Sequence, residues 1–178
     1  CYLDADNDGV TDGSGAIVES PDLDCDDDTE ATDMAGDDCD DGDSLVFPGA
    51  TEILDDDIDQ DCNDYDAITC VGPIYYADAE HCAVITGSLS IIDTDAVDLA
   101  LLHTLQTVAG HIYIQNNASL TSFSLDSLTD IGGSLSIGGN DALPSFSLDS
   151  LTAVDALSVY GTDALMSFSL DSLTDIGG

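Results

Sequence analysis

The chain has 178 residues, 43% of them apolar, and sets 38 Asp and Glu against no Lys or Arg, for a formal net charge of −38. That length holds one or two small domains, with enough apolar content for a core in at least one. The charge argues against nucleic acid and anionic membrane as partners and makes cations the natural ones. No apolar run is long enough for a signal peptide or a membrane helix, so no membrane insertion is expected, and without an initiator methionine the chain is expected to be processed or cut from something longer.

The first element in chain order is "DADNDGVTD". Asp4, Asp6, Asp8 and Asp12 fall at places one, three, five and nine of an EF-hand-like calcium loop, with the Val10 carbonyl at seven and Gly9 at the sharp turn of six. Place twelve, where a bidentate glutamate is usual, is Gly15. A helix-loop-helix is therefore not expected, and the missing ligands would come from the acidic run at 22–28. An acidic run of this kind can also be a solvated linker, but alternation around a glycine is more than charge density.

Asp and Glu crowd the first 66 residues and then thin, which places a boundary near Ala67–Val71 and divides the chain into an acidic domain, 1–69, and a second domain, 70–178. The acidic domain is expected to be irregular, with one helical turn around Ala50–Leu54, and to depend on ions and disulfides in place of a core. Asp24, Asp26 and Asp28 flank Cys25; Asp38, Asp40 and Asp43 flank Cys39; Asp57, Asp59 and Asp61 lead into Cys62. A hard cation with six to eight oxygen ligands needs several such runs brought together, so these residues are the candidate calcium ligands. The six cysteines include no C-x-x-C pair and sit among hard oxygens, which favours disulfides in an oxidising compartment over a zinc thiolate site.

The second domain repeats. Phe123, Phe146 and Phe168 recur at intervals of 23 and 22, as do Leu128, Leu151 and Leu173. A period in the low twenties signals a solenoid of stacked coils, each contributing short strands. Alternation within the coils predicts parallel strands at 88–91, 111–114, 134–137 and 157–160, and a second ladder at 122–125, 145–148 and 167–170. Helix signals are weak, with at most one or two turns in Asp95–Leu105. The fold class is thus mainly β: an irregular, calcium- and disulfide-stabilised acidic domain followed by a β-solenoid. In register, His103, Asp126, Asp149 and Asp171 form an exposed column, and Asn117, although it opens the sequon "NAS", shares a coil-turn position with Asn140.

"CAVITGSLSI", "LLHTLQTVAGHIYIQNN" and "LTDIGGSLSIGGN" resemble the receptor L domain, the leucine-rich-repeat-like right-handed β-helix of the insulin and epidermal growth factor receptors. The likeness covers roughly 70–178. It implies a ligand-binding or structural module and not an enzyme, and it matches the family's cysteine before the first coil with Cys82. "DADNDGVTD" is similar to thrombospondin type-3 calcium repeats, and "DCDDGDSLVFPGATEILDDDIDQDCND" resembles the metal-binding motif of MopE-like bacterial secreted proteins. There the cysteine that often follows E-I is replaced by Leu54, which leaves Cys39 and Cys62 as a pair. The resemblances, with closure between nearest neighbours, imply Cys1–Cys25, Cys39–Cys62 and Cys70–Cys82, although spacing alone leaves other connectivities open. Copper would want nitrogen or sulfur ligands, whereas this segment offers oxygens, so calcium is the expected cofactor.

No G-x-S-x-G elbow and no H-E-x-x-H spacing occurs, and the serines recur as strand positions, so catalysis is not expected. The functional expectation is a secreted or cell-surface, calcium-stabilised structural and adhesion module. Its partners would be calcium and protein, through self-assembly or a surface partner. It could serve as the repeat unit of an extracellular filament; the alternative is a carbohydrate- or metal-binding accessory domain of a larger secreted protein.

Overall fold

The computed structural model describes residues 2–3, 30–31, 39–40 and 42–177. The chain divides into two compact units, Cys1–Ala67 and Ile68–Gly178. In the first, β1 (Tyr2–Leu3) pairs antiparallel with β2 (Glu30–Ala31). From 39 to 67 the described chain is a succession of turns, and only Val46, Gln60 and Ala67 are buried. With so little apolar burial among these residues, covalent and polar links hold the segment 39–67. Cys39 and Cys62 form a disulfide, Phe47 N–H donates to the Gln60 carbonyl at 2.9 Å, and Asp55 N–H donates to the Ala67 carbonyl at 3.3 Å. The helical turn expected at Ala50–Leu54 is absent, because the Ile53 N–H is given to Gln60 Oε1 at 2.9 Å and not to a preceding carbonyl.

The second unit is a β-solenoid in which every strand pairing is parallel. Its first face stacks β3 (Ile68–Cys70), β5 (Cys82–Ile85), β7 (Thr107–Val108), the start of β9 (Asp130–Gly138), the start of β11 (Ala153–Tyr160) and β13 (Asp175–Ile176). The second face stacks β4 (Ile74–Tyr75), β6 (Leu89–Ile92), β8 (Ile112–Gln115) and the later parts of β9 and β11. The third pairs β10 (Ser145–Ser147) with β12 (Ser167–Ser169), and Ser124 bridges to Ser147. The predicted ladder at 88–160 is therefore the second face, within a residue at each start. The predicted strand at 122–125 reduces to the one bridge at Ser124. The first face was not anticipated: its strands contribute as little as one inward side chain per coil, Val108 or Ile131, which is too short for alternation to register.

Inward residues superpose coil on coil. Leu89, Ile112, Leu135 and Leu157 share one column, and Ile91, Ile114, Ile137 and Val159 the next. Phe123 and Phe146 stack at 5.1 Å, and Phe146 and Phe168 at 5.2 Å, each pair with planes 6° apart. The helical propensity within Asp95–Leu105 yields a single 3-10 turn at Ala100–Leu102. The Cys70–Cys82 disulfide links the first two coils.

A polar column runs inside the turn that follows the second face. Asn117 and Asn140 are fully buried. Asn117 donates from Nδ2 to the Ile91 carbonyl at 2.9 Å and accepts from Thr94 N–H at 3.0 Å; Asn140 donates to the Ile114 carbonyl at 2.8 Å and accepts from Asn117 N–H at 2.9 Å. Each asparagine thereby satisfies a donor and an acceptor of the coil before it, and polar groups enclosed in this way are costly to leave unpaired.

Candidate metal centre

The acidic unit brings Glu52, Asp59 and Asp61 together, with one carboxylate oxygen from each lying within 4.8 Å of the others. All three are half-buried. The chain folds back on itself to achieve this. Gln60, 1% exposed, accepts from Ile53 N–H and donates to Asp56 Oδ2 at 2.9 Å, which pins the Glu52 segment against the Asp59–Asp61 segment. Glu52 is held at both oxygens, accepting from Asp61 N–H at 2.9 Å and from Ala67 N–H at 3.0 Å. Asp59 accepts from Asn63 N–H and Asp64 N–H, and the disulfide at Cys62 ties this turn to Cys39. The backbone is left-handed at Asp55, Asp57, Cys62 and Asp64, and aspartate tolerates that conformation better than most residues.

Three anionic side chains at this separation repel. Burial pushes the Asp61 carboxyl above its ordinary value, and the Glu52 and Asp59 charges push it further, against the lowering effect of the Asn63 N–H. Asp66 is raised too, first by burial, and its Oδ1 is enclosed without a hydrogen-bond partner while Oδ2 accepts from Asp57 N–H at 3.0 Å. A divalent cation relieves such a site, since it replaces repulsion by coordination. The donor set is oxygen throughout, and the cysteines of this segment are consumed in a disulfide, so a hard cation fits it.

Of the residues expected from sequence to bind metal, Asp59 and Asp61 are in this group. Asp40, Asp43 and Asp57 are exposed and outside it: Asp40 and Asp43 each cap a local turn through Gly42 N–H and Leu45 N–H, and Asp57 donates its N–H to Asp66. Asp4, Asp6, Asp8, Val10, Asp12, Asp24, Asp26, Asp28 and Asp38 lie outside the described residues, as does the expected Cys1–Cys25 pair. The pairs Cys39–Cys62 and Cys70–Cys82 are both formed. Glu52 was not anticipated; its one signal was its place in "PGATEIL", within the MopE-like stretch.

In the solenoid, the acidic column is served by hydroxyls and by backbone. Ser124 donates to Asp126 and Ser169 to Asp149, which also accepts from Asp171 N–H at 3.2 Å. Hydrogen bonds from Ser169 foremost, then from Ser147 and the Asp171 N–H, hold the Asp149 carboxyl below its ordinary value.

The receptor L domain family model matches residues 81–177, more than half of the chain. The chain belongs to the receptor L domain family. Upstream of this L domain, residues 38–67 match the MopE copper-binding family, described as a "Putative metal-binding motif", and that stretch contains Glu52, Asp59, Asp61 and Asp66. No curated protein and no solved structure is significantly similar to the chain. No helix among the described residues is long and apolar enough to cross a membrane.

Proposed function

We propose that the chain is an extracellular, calcium-stabilised binding and structural module, in which the acidic unit folds around calcium and the L domain presents a surface to a partner. The observation that carries the metal half is the convergence of Glu52, Asp59 and Asp61 inside the matched motif, with Asp61 held above its ordinary pKa by burial and by its neighbours. Calcium is favoured over copper because residues 38–67 contain no His or Met and both of their cysteines are oxidised. The two disulfides support an oxidising, extracellular setting.

Calorimetric titration of the chelator-treated chain with calcium, magnesium and copper tests this. Calcium should bind with the greatest affinity, and Glu52→Gln with Asp61→Asn should weaken it by about tenfold or more, which is 1.4 kcal/mol. Tighter copper binding, or calcium binding that the double variant leaves unchanged, refutes the assignment. Adhesion and end-to-end assembly into a filament are the finer form of the same proposal.

A further inference from the structure

In a chain with 38 acidic residues, the five strand segments of the second face, 74–75, 89–92, 112–115, 134–138 and 156–160, contain no Asp or Glu. Strand formation does not demand this. The first face of the same solenoid accepts acids at outward positions, Asp130 and Asp175. The second face is thus free of acidic side chains along its strands, with Asp93 and Asp155 at its borders.

The outward columns mix large and small side chains, and one of them holds Ile92, Gln115, Gly138 and Tyr160 in register. Tyr75, Ser90, Tyr113, Ser136 and Ser158 lie in register, so the first two tyrosines are separated by one serine row. With coils about 4.8 Å apart, those tyrosines stand about 10 Å from each other. Small rows between them leave shallow troughs floored by hydroxyls. Several side chains are already fixed. Gln115 Nε2 donates to Ser136 Oγ at 2.9 Å, and Ser134 N–H donates to His111 Nδ1 at 2.8 Å, which places the proton of neutral His111 on the exposed Nε2. The Tyr160 ring lies flat on Gly138: a β-carbon there would come within 2.4 to 2.8 Å of three ring atoms. The tyrosine is nevertheless 52% exposed.

We infer that this face binds an uncharged oligosaccharide. Exposed aromatic rings at intervals stack on the apolar faces of sugar rings, while the amide, imidazole and hydroxyl groups between them exchange hydrogen bonds with sugar hydroxyls. Neutrality selects the class, since the surrounding carboxylates repel acidic glycans and the face itself has nothing to pair with a charge. A protein partner would be expected to find an apolar centre, whereas here the middle row carries Tyr113 and Gln115 between serine rows at Ser90 and Ser136, and Ile92 is the one exposed aliphatic side chain among the outward positions. Ordering of Gln115, His111 and Tyr160 before binding lowers the entropic cost. The inference rests on the reading of the L domain as a binding module, and it does not depend on the metal.

Cellohexaose, chitohexaose and mannohexaose would be titrated calorimetrically into the full chain, with polygalacturonate as the anionic probe, in calcium and again in chelator. At least one uncharged hexamer should bind and polygalacturonate should not. Tyr113→Ala and Ser158→Asp should each weaken binding by about tenfold or more, with unchanged circular dichroism melts. Ser158 is exposed, so its substitution keeps the test valid if Tyr113→Ala misfolds. Binding of polygalacturonate alone, silence of all three hexamers, retention of a peptide library in their place, or wild-type affinity in Ser158→Asp overturns the inference. Loss of the calcium response with glycan binding intact would instead count against the metal reading alone.

Discussion

Phe146→Ala tests whether the coils form one continuous core. Phe146 is 4% exposed and stacked on both sides, by Phe123 and by Phe168. Truncating a fully buried phenylalanine costs about 3–5 kcal/mol. Loss of two stacked partners, about 0.5–1.5 kcal/mol each beyond area burial, places this site in the upper part of that range. Phe168 has the same neighbours on one side only and is 51% exposed. Half of its surface is already in water, so Phe168→Ala should cost about 2 kcal/mol. For a unit of this size the corresponding falls in Tm are on the order of 15 °C and 8 °C. Thermal and urea melts of the calcium-loaded full chain, followed by far-ultraviolet circular dichroism, measure both. In the monomeric chain, equal losses in the two variants, or a loss for Phe146→Ala below about 1 kcal/mol, would refute a column in which each ring depends on both neighbours.

Asn140→Ala should cost about 2–6 kcal/mol, because it strands the Ile114 carbonyl and the Asn117 N–H, both in a buried setting, at about 1–3 kcal/mol each; a denaturant midpoint within error of wild type would count against the ladder. The pH response should change sign with metal. Asp61 and Asp66 have raised folded pKa values, so their ionised forms weigh on the metal-free fold above those values, and the burden lifts as pH falls towards the ordinary carboxylate range. The chelator-treated acidic unit should therefore melt higher in the ordinary carboxylate range, about pH 4, than at about pH 7, with part of that slope lost in Asp61→Asn. The calcium-loaded unit should melt lower, as protons displace the ion. The same slope in both states would sink the assignment.

The phenylalanine stack and the asparagine column were legible in the sequence because a repeat superposes like on like, and Phe123, Phe146 and Phe168 needed only the period to be placed. The first face was hidden by its brevity, and the coil at Ile68–Tyr75 by the decay of the repeat there, where Cys70 and Pro73 replace its regular residues. In the acidic unit the difficulty was of the opposite kind. Carboxylates were so dense that spacing could propose many ligands and rank few. Glu52, set apart from the aspartate run by Ile53 and Leu54, enters the site because Gln60 pins its segment to the Asp59 turn, a contact that no local pattern records.

The asparagine ladder also sets an order of events for the molecule. Asn117 stands in the sequon "NAS", yet its Nδ2 is bonded to the Ile91 carbonyl and the residue has no exposed surface. A glycan attached through that nitrogen would replace one of its hydrogens and require a path to solvent that the closed coil does not offer. Attachment and closure therefore exclude each other, and the coil that closes first protects the site for good. A molecule carrying sugar at Asn117 would be one whose third coil never formed, and its glycan would mark a folding failure and not maturation.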